Sequence, residues 1–353
     1  MRIRLAATAA LLVTTAIPAL ASTPVAAGAP PAVAYAVVRD PSDTDGYFVE
    51  GKDVFNSAIG RVRATNTEPG SVEVRFSSWP DATTNVLVTP LTTKPRFCSV
   101  GGQSTDGLSL RVYVDCYNRD GVPTDTPFIV SLRGLRAGHG HVAYLWADAP
   151  GLAGYIPADA FQMNGTDPSP VNAVAKIDTG LWVARLQDLA ATAGTVQVSP
   201  AGGVGTRCGA VRWEQDGDDE LVRVRCRDLS GDPTDQRFVL WYAKGQGLAS
   251  GLDRKQVYLF AHRPKAASYT PKFRFSTEGG TPTVTRVAKG RWTVTLPNMA
   301  KGGAAIVTPI GDGGARCNVS SIRKNALPQK VGVRCWNPAG QPASAKFTLA
   351  YVR

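Results

Sequence analysis

Over most of the chain, apolar residues alternate singly with polar ones. Val72, Val74 and Phe76 are interleaved with Glu73 and Arg75, and Val222, Val224 and Cys226 with Arg223 and Arg225. Trp292, Val294 and Leu296 are likewise interleaved with Arg291, Thr293 and Thr295. A period of two predicts β-strands with one face buried and the other in water. Glycine-rich clusters such as Glu278-Gly279-Gly280 and Gly311-Asp312-Gly313-Gly314 separate these runs as turns. No long stretch has helical periodicity, so the pattern predicts an all-β protein.

The pattern also repeats. Six cysteines stand at Cys98, Cys116, Cys208, Cys226, Cys317 and Cys335, 18 positions apart within each pair, with successive pairs offset by 110 and then 109. Other landmarks keep this spacing. A Gly-led strand recurs at Gly70–Phe76, Gly180–Leu186 and Gly290–Leu296. A Val/Ala-x-Val-Thr/Ser-Pro strand ends at Pro90, Pro200 and Pro309. A Gly-x-Pro turn at Gly121, Gly231 and Gly340 leads to Phe128, Phe238 and Phe347. Self-similarity at a fixed period marks a repeat architecture.

Each unit holds about eight strands, which predicts three tandem, disulfide-containing β-sandwich-like repeats at 32–133, 142–243 and 256–353. Residues 22–31, 134–141 and 244–255 read as linkers. The same strand count fits a six-bladed β-propeller with two blades per repeat. Six cysteines allow 15 pairings, but only local pairing makes the three units alike. The repeat therefore predicts Cys98–Cys116, Cys208–Cys226 and Cys317–Cys335, on inward-facing strand positions.

The N-terminus sets the expected compartment. Arg2 and Arg4 precede an apolar run from Leu5 to Ile17, followed by Ala19-Leu20-Ala21. This is the layout of a secretory signal over residues 1–21, cleaved after Ala21 or, as second choice, Ala27. Disulfides agree with an oxidising destination. No later stretch carries the ~18 uninterrupted apolar residues of a membrane span. The expected location is extracellular or cell-wall associated.

Chemistry-bearing motifs are scarce. There is no Gly-x-Ser-x-Gly elbow, no His-Glu-x-x-His helix and no phosphate-cradling loop. His139 and His141 fall in a linker. The acidic stretches Asp40–Gly46 and Asp216–Glu220 read as solvated turns rather than calcium loops. No catalytic residue, metal site or cofactor is predicted. Tyr117, Arg227 and Trp336, which follow the second cysteines, are expected to face outward, with Trp336 available to a sugar or a protein.

Charge separates the repeats. Residues 32–141 carry 11 basic and 12 acidic side chains, and 142–255 carry 11 and 14. Residues 256–353 carry 15 basic residues against only Glu278 and Asp312. Such an imbalance favours polyanions. Candidate contacts are Lys265, Lys272, Arg274, Arg286, Lys289, Arg291, Arg323, Lys324 and Lys330. The expected partner is an anionic extracellular polymer of the cell wall, or another secreted protein; nucleic acid would bind non-specifically.

The Gly-x-aromatic-x-Val strand, the Val-x-Val-Thr-Pro strand and the Val-Arg-Cys…Gly-x-Pro…Phe ending resemble those of secreted actinobacterial and myxobacterial proteins of unknown function, built from β-rich repeats of about this length. The resemblance spans the mature chain and implies secretion and repeats, with no catalytic residue to carry over. Val37 and Val72 stand where unit two has Trp146 and Trp182. The function expected is non-enzymatic extracellular binding through the third repeat. The alternatives are an extracellular hydrolase with a carboxylate pair in an inter-repeat cleft and an exported inhibitor or partner of an exoenzyme presenting loop 41–56 or 214–220.

Overall fold

The computed structural model describes residues 31–80, 84–134, 138–166, 170–203, 205–249, 252–323 and 327–353. The expected leader (1–21), nearly all of the linker after it and Lys324 lie outside the described residues. Residues 31–353 form a single compact unit, whose described residues are all β apart from two short 3-10 turns, Gly51–Asp53 and Asp159–Phe161.

Each repeat contributes two sheets. In the second repeat the inner sheet runs Gln162–Asn164, Val142–Ala147, Arg237–Ala243, Thr195–Ala201. The outer sheet runs Gly154–Tyr155, Asn172–Asp178, Leu181–Leu186, Asp219–Arg227, Arg207–Asp216. The first and third repeats reproduce both strand orders. The two sheets pack face to face. Leu145, Leu240 and Tyr242 of the inner sheet share a core with Trp182, Leu186, Val222 and Val224 of the outer sheet. In the third repeat, Trp292 of the outer sheet meets Phe347 of the inner one edge to face, with ring centroids 5.5 Å apart. These are the sandwich-like repeats the alternation predicts.

Outer strands alternate buried and partly exposed positions, as in Ser71–Phe76. Inner strands such as Val142–Ala147 are buried at every position, because their second face packs against a neighbouring repeat. There Trp146 donates from Nε1 to the Thr84 carbonyl at 3.2 Å, and Asn85 donates from Nδ2 to the Leu240 carbonyl at 3.3 Å. The repeats are therefore not independent beads. The connection after the second repeat is packed as well, with Leu248 and Ala249 buried and the Gly247 carbonyl accepting from Arg133 Nη1.

The association is cyclic. The outer sheet of repeat one joins the inner sheet of repeat two through a parallel pairing at Val100 and Ala201. Repeat two joins repeat three at Ala210 and Ile310, and repeat three returns to repeat one at Val319 and Leu91. These joins fuse sheets across repeat boundaries, so the sheets are not the separate blades of the propeller alternative.

Around the resulting pseudo-threefold axis run the three Val/Ala-x-Val-Thr/Ser-Pro strands, and their chemistry explains the motif. A strand edge turned towards an axis has no further strand to satisfy its N–H groups, and a buried orphan donor is costly. Hydroxyls from the next copy take that place. Val88 N–H donates to Ser199 Oγ at 2.9 Å, Val198 N–H to Thr308 Oγ1 at 2.8 Å, and Val307 N–H to Thr89 Oγ1 at 3.1 Å. Two positions on, where the next N–H would face the same way, each strand has proline, which carries no donor.

The disulfides Cys98–Cys116, Cys208–Cys226 and Cys317–Cys335 close the outer hairpin of each repeat. Each joins residues directly opposite in register, with Cα atoms 4.1 Å apart. A bridge closing a loop of this length contributes about 3 kcal/mol in the chain-entropy model.

Candidate functional site

The repeats differ most usefully just after the Gly-x-Pro turn. In repeat one, Asp125 Oδ1 accepts from Gly70 N–H at 2.7 Å and from Asn66 Nδ2 at 3.0 Å. In repeat two, Asp235 accepts from Gly180 N–H at 2.8 Å and pairs with Lys176. Burial acts to raise the Asp235 pKa, but Lys176 and the Gly180 N–H outweigh it and hold the carboxyl below the ordinary aspartate range. The recurring glycine is needed here. At Gly290 φ is +69°, and a Cβ would sit 2.7 Å from the Cys335 carbonyl oxygen and 2.8 Å from Ala343 N.

In repeat three the aspartate position is Ser344, and the Asn66/Lys176 position is Arg286. The carboxylate is lost while the cation is retained, and the Arg286 Nε is buried with no hydrogen-bond partner. Lys265 and Lys289 join it. Together with Asn337, Pro342, Ala343 and Ser344 they line an open basin of about 570 Å³. Lys265 and Lys289 are exposed, whereas Arg286 is half-buried on the strand Thr283–Ala288.

The two acids of repeat three do not neutralise this face. Glu278 pairs with Lys255, and Asp312 bridges to Arg225 at 2.8 Å and Arg227 at 3.1 Å in repeat two. Among the described residues, no cation of 256–353 belongs to an ion pair.

Of the nine cations expected from the sequence, three meet in the basin. Arg291 begins the neighbouring strand, opposite Ala288 and Arg334. Arg274 lies on a strand of the inner sheet and donates to the Pro271 carbonyl at 2.7 Å, and Lys272 lies near the Phe273 ring. Arg323 and Lys330 are adjacent at the far end of the disulfide hairpin, linked by a backbone hydrogen bond. The nine therefore do not form one patch.

The outward orientation expected after the second cysteines is overturned. Trp336 is only 5% exposed, and Tyr117 is buried and stacked on Phe97 at 5.8 Å. Arg227 is covered by its pairing with Asp312. Strand alternation assumes water beyond the far face, but here that side is packed, by the Pro342 turn beside Trp336 and by Asp312 of the next repeat at Arg227, so Trp336 offers no open ring to a sugar.

The acidic stretch Asp40–Gly46 is occupied by its own turn. Asp40 Oδ1 accepts from Ser42 N–H and Oγ, and Asp43 Oδ1 accepts from Gly46 N–H. No group of three or more His, Cys, Asp or Glu among the described residues could hold a metal ion. Four cavities among the described residues have no carboxylate in their linings.

The stretch Asp216–Glu220 is not the solvated turn expected: Asp219 pairs with Arg185, and both Asp219 and Glu220 are buried. Glu220, 1% exposed, accepts at Oε2 from Ala191 N–H and from the Tyr242 hydroxyl, both at 3.1 Å, and its Oε1 has no partner. Burial raises its pKa above the ordinary glutamate range. The folded protein therefore holds this proton more tightly than the unfolded chain does. The contribution to stability is complete below the unfolded value near ~4.3 and is lost as pH rises through the folded one. Unfolding midpoints of the wild type and Glu220→Gln should thus diverge in favour of the variant between pH 4 and pH 8. A constant difference across that range would contradict the assignment.

No helix among the described residues is long and apolar enough to cross a membrane. Comparison with protein-family models, with curated proteins and with solved structures finds no match.

Proposed function

We propose that the protein is a secreted, non-enzymatic binding protein whose third repeat holds an anionic extracellular polymer, such as a cell-wall polymer, in the basin of Lys265, Arg286 and Lys289. The observation that carries this reading is the exchange of Asp125 and Asp235 for Ser344. The first two repeats spend their cation or amide on an internal carboxylate, and the third leaves Arg286 without one. With a net charge of +13 on residues 256–353, the surrounding potential draws polyanions towards that face. The three disulfides suit the oxidising environment outside the cell.

The test uses the full chain. On an immobilised phosphodiester- or carboxylate-bearing wall polymer, the wild type should be retained at low salt and released as salt rises. Replacing Lys265, Arg286 and Lys289 with Gln should move elution to clearly lower salt. Removing three exposed cations of the other repeats, Arg61, Lys94 and Arg237, should move it much less. Equal shifts for the two triple variants would leave only general basicity and defeat the proposal.

A further inference from the structure

A second anionic site, independent of the basin, is built on the pseudo-threefold axis. Beyond the prolines of the three axial strands lies a cavity of about 50 Å³, room for three or four waters or one tetrahedral oxyanion. Its walls come from all three repeats: Pro90, Pro200 and Pro309, with the first cysteine of each disulfide. The residue preceding that cysteine is Phe97, Arg207 or Arg316 in the successive repeats, and all three line the cavity.

Both arginines are more than nine-tenths buried, at 8% and 5% exposure. Each anchors one nitrogen to its own repeat. Arg207 Nη2 donates to the carbonyls of Asp228 and Leu229, and Arg316 Nη2 donates to the Pro338 carbonyl at 2.8 Å. The Nε and Nη1 of both are buried without a hydrogen-bond partner. Phe97 forms the third wall, with the Arg316 guanidinium carbon 5.7 Å from its ring centroid. No carboxylate is among the lining residues, whereas Arg96 adds a further cation.

Two buried guanidinium groups with open donors are costly to keep unless something satisfies them. Burial, reinforced by the nearby charge of Arg207, pushes the Arg316 pKa down to about 10, so this group remains charged at neutral pH. Planar guanidinium donors match the geometry of phosphate, sulfate and carboxylate oxygens.

We propose that this axial cavity binds a single oxyanion group of phosphate or sulfate size between Arg207 and Arg316. Its volume admits one such group, as a free ion or as the terminus of a larger molecule. Because the ligand would contact all three repeats, it would also brace their ring.

Calorimetric titration of the full chain with inorganic phosphate, in chloride buffer of fixed ionic strength, should show saturable binding of one ion per chain. The thermal midpoint should rise to a plateau over the same concentrations. Arg207→Met and Arg316→Met should each weaken binding at least tenfold. If either fails to fold, Arg207→Lys and Arg316→Lys preserve charge but remove the planar donors, and should weaken it as well. Glutamine at Lys265, Arg286 and Lys289 should leave this binding intact, which separates the site from the basin. Glycerol phosphate binding alongside phosphate would identify a terminal phosphoryl group as ligand, and phosphate alone a free ion; either supports the site. Non-saturable stabilisation only, full binding by the arginine variants, or loss of binding in the basin variant would overturn it.

Discussion

Ser344→Asp should abolish most of the third repeat's affinity for a polyanion while leaving the fold intact. The substitution restores the carboxylate present in both other repeats, at a position where the backbone already accommodates one. In those repeats the acid accepts from the glycine N–H of the hairpin turn and engages the residue at the Arg286 position. The same contacts await it in repeat three. The change therefore cancels the Arg286 charge within the basin and places a negative group in the path of the polymer. Affinity for a phosphodiester polymer at low salt should fall about tenfold, and the slope of log K against log salt should become shallower by roughly one, the loss of one released counterion. Ser344→Ala, which removes the hydroxyl without adding charge, should bind as the wild type does. The reciprocal change, Asp235→Ser, should release Lys176 and give the second repeat a weak, salt-sensitive affinity of its own. Unchanged retention of Ser344→Asp would mean that the basin is not where the polymer binds.

The features legible in the sequence were those carried by local spacing. A period of two marks the strands, and the 18-residue interval places each cysteine directly opposite its partner in one hairpin, as at Cys208 and Cys226. The cyclic closure left no such mark. It depends on parallel contacts as small as Val100 with Ala201, a hundred positions apart. Trp336 read as exposed because alternation marks which face a residue occupies and not what packs there, whether the Pro342 turn of its own repeat or, for Arg227, Asp312 of the next. The Thr/Ser-Pro ending of the axial strands was visible as a motif, but its purpose emerges only when three copies meet. Two signals lay in the aligned repeats all along. Ser344 against Asp125 and Asp235 marks the basin, and Arg207 and Arg316 against Phe97 mark the axial cavity. Total charge drew attention to the third repeat without distinguishing cations that have lost a partner from those merely facing water.

Thr308→Val should lower the stability of the whole molecule by about 2–3 kcal/mol, although the two side chains are nearly the same shape. Thr308 is fully buried, and its Oγ1 receives the Val198 N–H at 2.8 Å and lies 2.9 Å from Gln197 Oε1. Valine fills the space but accepts nothing, leaving a buried backbone donor and a buried amide oxygen short of partners, at about 1–3 kcal/mol for such a group. Thr285→Val, at an exposed position of the outer sheet, should change stability by less than about 0.5 kcal/mol. Thr89→Val should cost a similar amount to Thr308→Val, since it occupies the same place in the cycle and receives Val307 N–H. Each hydroxyl belongs to one repeat and the N–H it accepts to another, so the damage cannot remain within a single unit. Calorimetry should show one transition displaced as a whole, by several degrees. Separate transitions, of which only those of the second and third repeats moved, would mean that the three units melt as beads and that the axial hydroxyls do not couple them.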